Sequence, residues 1–380
     1  MIDWNEIRRD FPVTETCAYF MSAAMSPPPR PVYLAIQARY EGFLREGDVH
    51  WPEEMERYKS LCRRLAGLIG AGPDDIAFAP NTSTAMGIMA LSFKAQAAGP
   101  FNVVSMKDEF PASTVAFEHL GIPMRYVEPV AARYPVQAVL DLVDDRTLAV
   151  VTSHVQYCTG FRQDLPTLGQ KLCDRGILFI VNATQSLPIY PVDVETMHID
   201  ALTASLHKWG MTGHVGSLFY TSPAFRKRFP SPLAGWLSIA SGEGEGIHVA
   251  KNEPFRLLDS AHRYEFGTFN LIPLLGFGTA LDYMEAIGIE NIRRRITELA
   301  DYLLDGLRSL NIAVVSPIDK ETERSAIVSM TLGDKNAAVL KKLEEARIFV
   351  SLRTGYIRVA VNFFNDRNEI DRLLGVLKTV

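Results

Sequence analysis

The sequence predicts an α/β protein: a mostly parallel sheet covered by helices on both faces, followed by a smaller α+β lobe. Three observations carry this expectation. From residue 74 onward, short apolar runs alternate with stretches of helical pattern, as in a sheet built from crossover units. After about residue 255 the alternation stops, and a long amphipathic helix leads into closely spaced strand-like runs. Polar residues, finally, gather just past the ends of the apolar runs, where open parallel sheets bind ligands.

The elements follow in order. "DWNEIRRDF" reads as an N-terminal helix able to pack on either lobe, and "SPPPRP" (26–31) as a stiff turn. Seven apolar runs then read as strands: "DIAFAP", "NVVSM", "MRYVEP", "LAVVTSHV", "ILFIVN", "ALTASLH" and "GSLFYTS". Between them lie the helices "TAMGIMALSFKAQAA", "ASTVAFEHLG", "VQAVLDLVDD" and "DLPTLGQKLCDRG". In "NIRRRITELADYLLDGLRSL", Ile292, Ile296, Leu299, Leu303 and Leu307 recur at helical spacing. The runs "AIVSMTL", "IFVSLR" and "YIRVAV" and the closing helix "RNEIDRLLGVLKTV" complete the small lobe. The expected division is a large domain over 16–254 and a small one over 255–380, with residues 1–15 packing on the latter.

Composition narrows the function. The 380 residues are 47% apolar and 22% charged, ordinary for a chain with a large buried core. A formal charge of -5 argues against a nucleic-acid binder. No apolar run reaches the length of a membrane span, and the charged start lacks the core of a signal peptide. Cys17, Cys62, Cys158 and Cys173 show no metal-binding spacing and are too few for a disulfide scaffold, so the expected compartment is the cytoplasm and no metal is expected.

The strand ends offer candidate chemistry at 81–84, 108–110, 154–157, 182–185 and 205–208. In "TASLHKWGMTGHVGSL", Lys208 stands just past a strand and inside a glycine-rich turn. Partial desolvation there lowers a lysine pKa and makes the neutral amine available for Schiff-base chemistry; a surface loop lysine is the plainer alternative. "PNTSTAMGIMA" puts Thr82, Ser83 and Thr84 where a strand meets a helix, either as an anion site or as simple capping residues.

Together these stretches resemble the aminotransferase class V family of pyridoxal-phosphate (PLP) enzymes, which includes cysteine desulfurases and isopenicillin-N-epimerase-like proteins. The resemblance runs from "CAYFMSAAMSPPP" to "IRVAVNFFNDRNEIDRLL", and "SLHKWG" followed by "GHVGSLFY" is its most specific part. It implies PLP fold type I and a homodimer with active sites shared between subunits. Lys208 is then the Schiff-base lysine, with His207 and Ser205 near the cofactor phosphate and Ser83 and Thr84 cradling it. Phe110 in "DEFPAS" takes the place of the ring that stacks on the pyridine, Gln185 that of the partner of the phenolic oxygen, and Asn182 faces the pyridine nitrogen. Thr268 in "EFGTFN" reaches the phosphate of the neighbouring subunit. Arg358 grips the substrate α-carboxylate, with Arg353 as a second cation and Tyr157 in the substrate region. The plainer alternatives are a core Phe110, a loop Thr268 and an Arg358 engaged in a strand-edge salt bridge.

Two departures from the family bear on function. Desulfurases carry a nucleophilic cysteine between the small-lobe helix and the carboxylate-binding arginine, and "SPIDKETERSAIVSM" through "ARIFVSLRTGYIR" contains none, so desulfurase activity is not expected. Tyr157 also replaces an asparagine frequent in desulfurases. The second departure is Asn182, where most of the family has aspartate. An amide cannot stabilise a pyridinium by charge, so the expected electron sink is weaker. That favours elimination or epimerisation through a short-lived Cα carbanion over transamination. A non-catalytic PLP sensor is the rival reading; such proteins carry a DNA-binding segment, for which no room is expected before "CAYFMS". The segments 50–58 and 233–255 are expected to be irregular and to line the entrance.

Overall fold

A computed structural model describes residues 2–240 and 254–379. Seven strands form the main sheet, in the order Ile76–Ala79, Ser217–Thr221, Ala201–Ser205, Leu178–Asn182, Thr147–Ser153, Asn102–Met106, Met124–Val127. Strand Ser217–Thr221 runs antiparallel to both neighbours, and the other pairings are parallel. The strands read as almost unbroken apolar runs because both faces are covered. Val104, Val150, Phe179, Val181 and Leu202 enter the core on one face, and Val103, Ala149, Val151, Ile180 and Ala201 enter the core on the other.

Helix Ile289–Ser309 buries Ile292, Ile296, Leu299, Leu303 and Leu307, the stripe read from the sequence. It covers a second, antiparallel sheet ordered Ala313–Val314, Ile327–Thr331, Tyr356–Ala360, Ser351–Arg353. The run "IFVSLR" is not one strand. Ile348–Phe349 pairs in parallel with Ala18–Tyr19, while Ser351–Arg353 turns to pair with Tyr356–Ala360. The closing helix Arg367–Leu377 starts from a capping box between Asp366 and Glu369. Glu369 also receives Arg8, and Trp4 and Phe11 lie against Phe363, which ties helix Trp4–Arg9 to this end of the chain.

Two helices were misread in the sequence. "SPPPRP" is more than a turn, since its last proline opens helix Arg30–Glu46. Segment 50–58 is likewise not irregular: Pro52 opens helix Trp51–Ile69, with Glu53 and Glu54 in its first turn. Proline needs no amide donor at a helix start, and acidic side chains there face the positive end of the dipole, so both signals marked beginnings. Of the segment 233–255, residues 241–253 lie outside the described residues. Helix Leu271–Ile287 packs on both of these helices and meets helix Ile289–Ser309. At Gly276 a Cβ would lie 2.5 Å from Ile36, so glycine permits the close approach to helix Arg30–Glu46. Among the described residues no helix is long and apolar enough to cross a membrane.

Candidate active site

Lys208 follows strand Ala201–Ser205 in a tight turn. A Cβ at Gly210 would meet the Leu206 carbonyl at 2.4 Å, so this turn requires glycine. The lysine is 8% exposed, and among the described residues its amine has no hydrogen-bond or ion-pair partner. Burial, and then the charges of Arg358 and Arg353, push its pKa down to about 7. Near neutral pH a large fraction is therefore the free amine, the form that condenses with a carbonyl.

The amine lies 5.4 Å from the centre of the Phe110 ring. That ring is 41% exposed and meets the edge of Tyr157 at 5.2 Å and 77°. Phe110 is thus an open plate over the lysine and not a core residue. Neighbouring Glu109 holds the plate's support together: its buried carboxylate accepts from the Ser153 amide (2.5 Å), the Ser153 hydroxyl (2.6 Å) and Gln156 Nε2 (2.8 Å). Burial raises its pKa, and those donors oppose the rise. It pins the loop carrying Phe110 to the loop carrying Tyr157.

Arg358 reaches the same space from the small sheet. Its Nε donates to Ser351 Oγ (3.1 Å) and Nη1 to the Tyr157 carbonyl (2.6 Å), leaving Nη2 uncommitted. The side chain is 2% exposed with no acidic partner among the described residues, and burial together with Arg353 lowers its pKa to about 10. The salt-bridge alternative is therefore excluded among those residues. A buried guanidinium without a counter-ion is costly and suits an anionic ligand. Arg353 is half-buried, donates only to the Leu352 carbonyl (2.9 Å), and likewise has no acid beside it.

The two amides on strand Leu178–Asn182 and the turn after it are held firmly. Asn182 Oδ1 accepts from the Thr184 amide (3.1 Å) and Nδ2 donates to Ser113 Oγ (2.9 Å). Gln185 Oε1 accepts from Trp209 Nε1 (3.1 Å) and Nε2 donates to the Ala23 carbonyl (2.8 Å). Each amide nitrogen keeps one hydrogen beyond these bonds.

The expected phosphate residues divide. Ser83 is exposed at the start of helix Thr82–Gln96, and among the described residues its hydroxyl is uncommitted, as an anion site needs. Thr84 spends both its amide (2.9 Å) and its hydroxyl (3.1 Å) on the capping residue Asn81. Ser205 is turned into a buried hydroxyl cluster with Thr82 and Ser217, each at 2.9 Å. An anion recruiting the Thr84 hydroxyl has to displace its bond to Asn81, whereas Ser205 is free to donate to one only if it accepts from both Thr82 and Ser217. His207 is half-buried beside His214, and burial and Lys208 push its pKa down to about 4, so it is neutral. Thr268 is exposed and makes no hydrogen bond with this cluster.

Cys158 lies next to Tyr157, buried, with Sγ 2.5 Å from Thr354 Oγ1 and its pKa raised by burial. Sequence reasoning missed Ser113 and Trp209, and it held Glu109 and Thr184 only within the strand-end stretches 108–110 and 182–185, with no role for either. Glu109 had a signal, a carboxylate directly after an apolar strand; Ser113, Thr184 and Trp209 act through hydrogen bonds that no spacing announces.

The sequence profile of the aminotransferase class-V family matches residues 18–373. A probable cysteine desulfurase of Pyrococcus abyssi is 26% identical, over 98% of this chain and 96% of its own. Among solved structures, the apo cysteine desulfurase of Thermococcus onnurineus NA1 is 23% identical with a TM-score of 0.89, covering 100% of this chain and 98% of its own. The cystine C-S lyase C-DES, solved with its product cysteine persulfide, is 22% identical with a TM-score of 0.86, covering 97% and 99%. With the seven-stranded sheet and a buried, partly neutral lysine at its strand ends, these matches identify the chain as a PLP-dependent enzyme of fold type I, a member of the aminotransferase class V family.

Proposed function

We propose that the enzyme carries PLP on Lys208 and breaks a bond at Cα of an α-amino acid, or of a larger molecule bearing one, by elimination or epimerisation. One observation carries the reading: a partly neutral lysine, an open aromatic plate and an uncompensated buried guanidinium face one space. The site suits the cofactor by its donor set. Lys208 offers the amine, Phe110 the face, Asn182 and Gln185 a spare N–H each, and Ser83 a free hydroxyl at a helix start. Bound there, PLP supplies the sink for the electron pair left on Cα.

The chain's own residues do the rest. Arg358 fixes the α-carboxylate, and its position on strand Tyr356–Ala360 keeps that grip rigid. Lys208 takes the Cα proton. In elimination the electron pair forms the Cα=Cβ bond as the β-substituent leaves, and water converts the released enamine to a 2-keto acid and ammonia; in epimerisation Lys208 keeps the proton it took and water supplies one to the opposite face. Phe110, braced by Tyr157, offers its ring face to the cofactor.

The relatives' names favour a second reading, a cysteine desulfurase, which needs a thiolate to take the substrate sulfur. Cys158 is the thiol beside the site, and it is buried against Thr354 with a raised pKa. Cys17 and Cys62 are buried, and Cys173 ends the helix leading into the start of the central strand Leu178–Asn182, whereas Lys208 and Asn182 stand at strand ends. We therefore rank desulfuration below elimination. A second copy of the chain is the expected partner, and Tyr33, Tyr40, Phe43 and Leu44 form an exposed apolar face on helix Arg30–Glu46 that suits it.

The test is incubation with a panel of amino acids including cysteine and cystine. Keto acid, ammonia, alanine, pyridoxamine phosphate and optical rotation are followed together. Keto acid with ammonia, or loss of rotation alone, supports the proposal. Alanine with a protein-bound persulfide establishes the desulfurase, and stoichiometric pyridoxamine phosphate establishes transamination.

A further inference from the structure

We infer that Asn182, positioned by Ser113 and the Thr184 amide, meets the cofactor's ring nitrogen as a hydrogen-bond donor and keeps that nitrogen unprotonated. The inference rests on the PLP reading above and adds to it the charge state of the ring and a positioning residue, Ser113.

The orientation of the Asn182 amide is determined by its neighbours. A backbone N–H only donates, so the atom 3.1 Å from the Thr184 nitrogen has to be Oδ1, and the atom 2.9 Å from Ser113 Oγ is then Nδ2. Reversing the amide would set two donors against each other. Asn182 is 4% exposed and Ser113 is fully buried, so water does not loosen the arrangement. One Nδ2 hydrogen is left, with no protein partner among the described residues.

Ser113 belongs to the turn that presents the plate. It follows Phe110 in the short helix Pro111–Ser113, and its amide donates to the Phe110 carbonyl (2.8 Å). The ring face and the amide are therefore parts of one small unit. In pyridoxal the ring nitrogen lies para to the carbon bearing the carbonyl. With that carbonyl at Lys208 and the ring over Phe110, the nitrogen would lie on the side away from Lys208, and Asn182, bonded to Ser113 of the turn that carries Phe110, is a buried amide placed to meet it.

A protonated ring nitrogen is itself a donor: it would meet the spare Asn182 N–H donor against donor, or have to share Oδ1 with the Thr184 amide. An unprotonated nitrogen accepts that hydrogen. Glu109, the buried acid beside Phe110, is committed elsewhere. It bonds to Ser153, the residue paired with Asn182 in the adjacent strand, and both its oxygens are taken by Ser153 and Gln156. An electron sink without a full positive charge is shallower, which fits a carbanion discharged at once and not one that persists.

The experiment is 15N NMR of the holoenzyme loaded with ring-15N-labelled PLP, calibrated with free PLP in acid and alkali. The expected wild-type resonance is at the unprotonated position. Asn182→Asp moves it by the full protonation shift of a pyridine nitrogen. Ser113→Ala displaces or broadens it, and Ser113→Thr, which keeps the hydroxyl, restores it. A protonated nitrogen in the wild type, or no movement in Asn182→Asp, overturns the inference. A Ser113→Ala spectrum identical to wild type removes Ser113 from it. If label is not retained on Lys208 after borohydride, the PLP reading itself has failed; a retained label with a protonated nitrogen fails only this inference.

Discussion

Replacing Lys208 by methionine stabilises the cofactor-free protein, and the gain depends on pH. The ordinary lysine pKa of 10.5 falls to about 7 in the folded chain. A gap of that size corresponds to about 5 kcal/mol. Below about pH 7 the folded and unfolded chains both carry the ammonium, and the folded chain bears the whole cost of burying it. Between that pH and the ordinary pKa the unfolded chain holds more protons, so stability rises with pH, by up to ~1.4 kcal/mol per unit. Above the ordinary value both states are neutral and the cost is gone. Methionine matches the length of the lysine stem and carries no charge. The variant is therefore more stable by up to about 4 kcal/mol near neutral pH, and the advantage shrinks steadily toward alkaline pH. Urea unfolding of both cofactor-free proteins at a series of pH values measures this through the midpoint. Equal stability near neutral pH, or a gain that does not change with pH, refutes the account of Lys208 as a buried, charge-penalised amine.

Arg358→Leu removes the carboxylate grip, with kcat/KM falling by roughly 2 to 5 kcal/mol, or 30-fold and more, while PLP remains bound; Arg358→Lys does not restore the fork and recovers little. Phe110→Ala loosens the cofactor by about 0.5–1.5 kcal/mol, seen as a several-fold higher Kd for PLP by titration of the cofactor-free protein, and Phe110→Trp retains affinity. Paired substitutions Phe43→Glu and Leu44→Glu put charge on a face where Leu44 is 84% exposed, and analytical ultracentrifugation is expected to show monomer in place of dimer.

Much of the fold was readable because its signals are local and redundant. The alternation of apolar runs with helices marks the large sheet, and the spacing of Ile292, Ile296, Leu299, Leu303 and Leu307 marks the long helix. The helices opened by Pro31 and Pro52 were missed because proline signals breaks and beginnings alike, and only the following turns decide which. At the site, motifs singled out Lys208, Phe110, Arg358 and Asn182, and the structure brings the first three near one another. What the sequence withheld is how polar groups are spent. Thr84 turns back on Asn81, Ser205 on Thr82 and Ser217, and Asn182 on Ser113 and Thr184. Those choices depend on where hydroxyls and amides meet across distant segments, which composition and spacing do not encode.

The central claim is that Lys208 carries the cofactor. Borohydride reduction of the holoenzyme, followed by proteolysis and mass spectrometry, tests it most directly. The account predicts a phosphopyridoxyl adduct on the peptide containing Lys208 and none in Lys208→Met. An adduct on a different lysine, or an unmodified Lys208 peptide from PLP-loaded protein, contradicts it.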